Sequence, residues 1–218
     1  MTMMRHRELR LGADEGFSFV EVMIVTMMLG MILAAAYMAV GMVSTVTDGI
    51  IARGSAQDSG QLALEKMSRE VRQAQTVTDA GTGKTWRMAA ASATSISFWA
   101  DIDHNGILER VTYTLTGGQL TRTTASATKT YPSPSDFGVD TSATVLTQVD
   151  PALTTMFVLK NSSNATTTDI SDSPVTAVTA VQMAMRSVVK SGAQTATVDF
   201  PPDLVQVRSF GPGIVPWN

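Results

Sequence analysis

The sequence predicts an α+β fold, a long N-terminal helix with a transmembrane half and an amphipathic half, packed on an antiparallel β-sheet head. Three observations predict it. Positions 22–43 run 22 residues without a charge. Further on, Leu64, Met67, Val71 and Ala74 recur at i, i+3, i+7 and i+10, the stripe of a helix with one buried face. After residue 75 the chain holds 25 threonines, punctuated by Gly and Pro with no lasting helical period. That is the composition of strands and turns.

The apolar segment comes first. Of the 30 residues from Phe17 to Val46, 23 are apolar and six of those are Met. A 22-residue helix spans about 33 Å, enough for a hydrocarbon core of roughly 30 Å, and only a helix satisfies its own backbone in lipid. Arg5, Arg7 and Arg10 precede the run, and the first charge after it is Asp48. The positive-inside bias therefore places the N-terminus in the cytoplasm and the C-terminal bulk outside. A secretory signal peptide, cut at Ala34-Ala35-Ala36, is one reading of this segment. An uncleaved signal anchor is a second. A buried core helix is a third, against which the length argues. Glu21 strains the first two. A carboxylate costs about 2.5–3.5 kcal/mol at mid-bilayer and less near the interface, so it asks for a partner.

The string Gly16-Phe17-Ser18-Phe19-Val20-Glu21-Val22, ahead of an apolar helix, resembles the cleavage and methylation site of type IV prepilins and pseudopilins. The resemblance implies that a prepilin peptidase cuts between Gly16 and Phe17 on the cytoplasmic side and methylates the new amine of Phe17. It implies that Glu21 pairs with the N-terminal amine of a neighbouring subunit during assembly, which supplies the missing cation. The leader ends Asp14-Glu15-Gly16 where many members carry Lys or Arg before the Gly, and at 16 residues it is long for some subgroups. The Gly, the Phe and the Glu are all in place. Gly30 is where the helix is expected to loosen in an assembled filament, since Gly weakens a helix interior by up to about 1 kcal/mol.

The domain organisation that follows is a cleaved leader over 1–16, a membrane and filament-core helix over 17–46, its amphipathic continuation over 47–75, and a β-rich head over 76–218. One helix from Phe17 to about Gln75 is the family's lollipop plan. Two helices with a loosened joint across the glycines of 48–60 are the alternative. Residues 62–74 (LALEKMSREVRQA) also resemble minor pilins of the PilW type and pseudopilin J. In the head, residues 95–100 alternate around Ile96 and Phe98, and Val111, Tyr113 and Leu115 alternate with Thr112 and Thr114. Gly117-Gly118 closes a two-residue hairpin onto Leu120. Residues 123–150 read as loop-rich and 155–159 as a short strand. Residues 161–173 read as an exposed loop and 175–189 as one long strand or a strand with a bulge. Residues 195–200 and 204–210 finish the sheet.

One loop invites a metal reading. Asp101, Asp103, Asn105 and Gly106 follow the opening of an EF-hand, and Glu109 stands at the ninth position. The twelfth position is Thr112, not Glu, and no helix flanks the loop. The plainer reading is a tight turn rich in Asp, Asn and Gly, so no cofactor is expected beyond this candidate calcium loop. Other classes are excluded or left without support. With no Cys there is no disulfide framework, thiolate zinc site or cysteine nucleophile. Two His residues and no nucleophile elbow leave little for catalysis. A net charge of -3 gives no footprint for nucleic acid. The expected function is therefore structural. The chain reads as a minor pilin or pseudopilin of a type IV pilus, type II secretion or competence pseudopilus. Its expected partners are other subunits, the prepilin peptidase and the assembly platform membrane protein. A membrane-anchored extracellular binding or adhesin protein is the alternative.

Overall fold

The computed structural model describes residues 18–79, 81–129, 132–133, 135–168, 178–191 and 194–207. Its architecture is α+β, as expected. A single helix, α1 (Phe19–Arg72), is followed by ten strands: β1 (Val77–Thr78), β2 (Thr85–Trp86), β3 (Ala90–Ala91), β4 (Ser95–Ala100), β5 (Glu109–Thr116), β6 (Gln119–Ser126), β7 (Thr141–Leu146), β8 (Phe157–Lys160), β9 (Ala180–Ser191) and β10 (Gln194–Gln206). The helix is unbroken through Gly30 and through the glycines at 49, 54 and 60, so the two-helix alternative falls. The chain divides into two compact units, Met1–Thr47 and Asp48–Asn218.

In the second unit α1 buries Ala56, Gly60, Ala63, Met67, Ser68, Glu70 and Val71. The steps of three and four are those of one helical face. Small residues lead and larger ones follow, so the helix lies closest to the sheets around Gly60 and Ala63. At Gly60 a methyl group would run into the ring of Phe200 on β10. Leu64, expected on the buried stripe, sits half-buried at its margin.

The strands form three antiparallel sheets rather than the single sheet expected. The largest runs in the order β3-β4-β5-β6-β7. Its central hairpin turns through Gly117 and Gly118, both at positive φ, the geometry of a two-residue turn matched to strand twist. Within residues 123–150, read as loop-rich, β6 continues to Ser126 and β7 adds an edge strand. Sheet two runs β10-β9-β8. Residues 194–206 form one 13-residue strand, not two, with a register shift between Phe200 and Asp203 where Pro201-Pro202 interrupts the pairing. The third sheet is the small pair β1-β2. The segment 148–157 ties the larger sheets together: Asp150 N donates to Arg186 O and Met156 N to Ala93 O. One core results, joining Met67 and Val71 of α1 to Ile96, Phe98, Val111 and Tyr113 of the first sheet and Val181, Met183 and Phe200 of the second.

A buried charge sits in this core. Glu70 is only 5% exposed. Its carboxylate accepts from the Tyr113 hydroxyl on β5 at 2.7 Å and from Arg122 Nε on β6 at 2.9 Å. Burial, and then the Glu70 charge, push the Tyr113 phenol far above its ordinary range. Burial pulls the Arg122 guanidinium down, but the Glu70 bond and charge more than offset it and hold it above its usual value. Two donors from neighbouring strands thus converge on one helix carboxylate. Ser68 adds a second link, donating to Asp203 Oδ2 at 2.6 Å.

Removing one partner of a buried ion pair leaves the other uncompensated, which costs about 3–5 kcal/mol. Glu70→Ala is therefore expected to destabilise the head by about 3 kcal/mol or more. Tyr113→Phe removes one hydrogen bond and costs about 1 kcal/mol. Denaturant unfolding of the full-length chain followed by tryptophan fluorescence checks the ranking, and equal effects would disprove it. Gly60→Ala, which raises helix propensity, is expected to lower stability by about 1–3 kcal/mol through overpacking against Phe200. A rise in the same measurement would count against the close approach.

Candidate functional site

Two features bear on function: the apolar surface of the first unit and the acidic loop of the second. Of the predicted processing residues, Gly16 and Phe17 lie outside the described residues. Glu21 is within them, in the first turn of α1. The turn is closed by the Ser18 carbonyl, which accepts from Glu21 N at 2.9 Å and Val22 N at 3.2 Å. From residue 18 to residue 47, Glu21 is the only charged side chain.

Every described side chain from Ser18 to Thr47 is exposed, Tyr37 reaching 82%. Soluble monomers rarely leave so large a contiguous apolar surface open to water. The helix passes the length and composition required to cross a membrane. Its hydroxyls are compatible with that. Thr26 Oγ1 donates to Val22 O at 2.9 Å, Thr45 Oγ1 to Met42 O at 2.9 Å and Thr47 Oγ1 to Val43 O at 2.8 Å. Each of these three threonine hydroxyls satisfies its donor on its own helix, as an apolar solvent favours. Glu21 has no such internal recourse, because an ionised carboxylate only accepts.

The acidic loop joins β4 to β5. It is a hairpin connection, without flanking helices. Asp101, Asp103 and Glu109 bring carboxylate oxygens within 4.8 Å of one another. Asn105, the fourth predicted member, is turned to other work: its Oδ1 accepts from Ile107 N at 2.7 Å and its Nδ2 donates to Asp103 Oδ2 at 2.8 Å. Asp101 accepts from Asn105 N at 3.1 Å and Gly106 N at 3.0 Å, and Glu109 Oε2 accepts from Ile102 N at 2.9 Å. His104 and Gly106 take positive φ to make this wrapping possible. These backbone donors account for the arrangement as an Asp- and Asn-rich turn. Thr112, at the twelfth EF-hand position, is inside β5 and hydrogen-bonded to Ser97 at 2.8 Å.

Burial raises the Glu109 carboxyl above its ordinary 4.5, opposed by the Ile102 N–H and reinforced by the charges of Asp103 and Asp101. No protein-family model and no curated protein matches the chain.

A group whose folded pKa is raised binds its proton more tightly when folded. Its stabilising contribution is complete below pH 4.5 and lost as pH rises through the folded value. At neutral pH the ionised Glu109 therefore opposes folding. Glu109→Gln keeps the acceptor for Ile102 N–H and removes the charge. The variant is expected to melt higher than the parent at pH 7, by about 2–4 °C per kcal/mol relieved, with the difference vanishing below pH 4.5. Thermal unfolding across pH 4–8 reads this out. A difference that grows towards acid pH would contradict it.

Proposed function

We propose that the chain is a minor pilin or pseudopilin precursor. It inserts in the cytoplasmic membrane with its N-terminus inside and is cut between Gly16 and Phe17 by a prepilin peptidase. The new amine of Phe17 is methylated. The mature chain then assembles, with the help of a platform membrane protein, into a type IV pilus or a secretion or competence pseudopilus. Its role is structural, by association without chemistry.

The observation that carries this reading is the position of Glu21. It is the fifth residue of the expected mature chain and the single charge from residue 18 to residue 47, the exposed apolar part of a helix of membrane-spanning length. In lipid, helices gain little hydrophobic energy by pairing, so close packing and polar contacts must select the register. A carboxylate on the fifth residue and an amine on the first, contributed by neighbouring subunits, form an ion pair that specifies such a register. Basic residues before the apolar stretch and none between residues 17 and 47 support the orientation.

Mass spectrometry of the mature N-terminus tests the reading. N-methylated Phe17 with residues 1–16 absent is the expected result. An intact Met1 overturns it in favour of an uncut anchor carrying an extracellular binding head. Glu21→Ala is expected to leave insertion and cleavage unchanged while cutting incorporation into sheared filaments at least tenfold. Quantitative immunoblotting of membrane and filament fractions separates these steps.

A further inference from the structure

The Asn105-Gly106 step in the connection from β4 to β5 carries chemistry that neither the turn nor the metal reading uses. The asparagines of the chain are Asn105, Asn161, Asn164 and Asn218, and only Asn105 is followed by Gly. An asparagine side chain is open to attack at Cγ by the backbone nitrogen of the next residue. A Cβ on that next residue hinders the attack, and Gly has none. Asn105 and Gly106 are both exposed. In the reaction the Gly106 nitrogen gives up its proton and bonds to Asn105 Cγ. The Cγ–Nδ2 bond breaks, and Nδ2 leaves as ammonia with the added proton. The five-membered imide that results then takes up one solvent water at either of its carbonyls. One opening gives Asp. The other gives isoaspartate, in which the main chain runs through the side-chain carbon. One water enters and one ammonia leaves, with no oxidant and no second reactant.

The fold opposes each part of this reaction. Gly106 N–H, whose proton must go, donates to Asp101 Oδ2 at 3.0 Å. A carboxylate there favours the protonated amide, because the deprotonated nitrogen would face a like charge. The Asn105 side chain is held at both ends: Oδ1 accepts from Ile107 N at 2.7 Å, and Nδ2 donates to Asp103 Oδ2 at 2.8 Å. Its own N–H is held as well, donating to Asp101 Oδ1 at 3.1 Å and Asp103 Oδ1 at 3.2 Å. Closing the imide turns the side chain against the following peptide, so these bonds must open first.

We infer that Asn105 is a site of spontaneous deamidation, and that Asp101 and Asp103 restrain it while the head is folded. The acidic loop is a clasp on a reactive step. Conversion undoes the clasp. Asp at position 105 puts an acceptor where the Nδ2 donor faced Asp103. It also adds a carboxylate beside Asp101, Asp103 and Glu109, whose oxygens already lie within 4.8 Å of one another, and like charges so close repel. The ammonia is lost to solvent, so the change runs one way. The inference concerns the head alone and stands whether or not the proposed processing and assembly occur.

The test incubates the full-length chain in mildly alkaline buffer, folded in detergent or unfolded in guanidinium chloride. Samples are digested in acid at intervals. Mass spectrometry follows the conversion of amide to acid at each asparagine, with electron-transfer fragmentation to tell isoaspartate from Asp. In the unfolded chain Asn105 is expected to convert ahead of Asn161 and Asn164. In the folded chain its conversion should be at least about tenfold slower, because several hydrogen bonds must open first. Asp101→Asn keeps the size of the side chain but accepts at one oxygen only, so one of the two N–H groups loses its partner. It should speed conversion in the folded chain at least about threefold and leave the unfolded rate within twofold. Asp140→Asn, which removes a carboxylate paired with Arg110 outside the loop, should leave both rates within twofold. Thermal unfolding shows whether Asp101→Asn is folded. If it is not, Asp103→Asn, which takes one acceptor from Asn105, replaces it with the same expected rise. Equal rates in the folded and unfolded parent overturn the inference. So does an unfolded chain in which Asn105 has no lead, or a folded variant whose rate does not rise.

Discussion

The Glu70 carboxylate is the point on which the head depends. A helix packed on a sheet through small apolar residues alone can slide by a turn or tilt, because such contacts are non-directional. A buried carboxylate with two hydrogen-bond donors cannot. Tyr113 comes from β5 and Arg122 from β6, directly opposed in register, so one helix residue fixes two strands at once. The same contact sets where Met67 and Val71 enter the core and how closely Gly60 can approach Phe200. Hydrophobic replacement of a whole buried ionic triad is often neutral or stabilising, so the triad is weak evidence of net stabilisation. What the triad adds is a defined position.

Much of this was legible before the structure. The alternation at Ile96, Phe98, Val111, Tyr113 and Leu115 and the Gly-Gly turn placed the central hairpin, because a half-buried strand writes its inner face every second residue. The helix was legible through its stripe to within two or three residues at either end. β7 was not: its first four residues are exposed, so no alternation marks it, and only pairing with β6 makes it a strand. The gap between the expected strands 195–200 and 204–210 holds Pro201-Pro202, which cannot donate to a ladder, and the structure accommodates both as an irregularity in one strand. Glu70 was readable and passed over. It falls three residues after Met67 on the apolar stripe, the same kind of anomaly that made Glu21 conspicuous. A charge in a run of aliphatics is easier to notice than one in a mixed helix.

The two units of the chain handle polar groups by different rules. Among the described residues of the first, threonine hydroxyls fold back onto their own helix and Glu21 is left without an internal donor. In the second, carboxylates gather donors from elsewhere: Glu70 from two strands, Asp101 from the backbone of its own turn, Asp203 from Ser68. The acidic loop carries two readings at once. Asp101, Asp103 and Glu109 bring carboxylate oxygens within 4.8 Å of one another, and the requirements of a tight hairpin turn account for the same Asp and Asn residues, while Thr112 belongs to a strand.

The paired prolines on β10 have a consequence beyond the bulge they make. β10 is the longest strand of the head and lies at the border of its sheet, the kind of strand on which another chain can template itself. Two successive residues without an N–H divide that border into segments of seven and four residues, with a shift of register between them. An incoming strand can align with one segment only by losing the other. The irregularity thereby acts as a guard against edge-to-edge aggregation between heads.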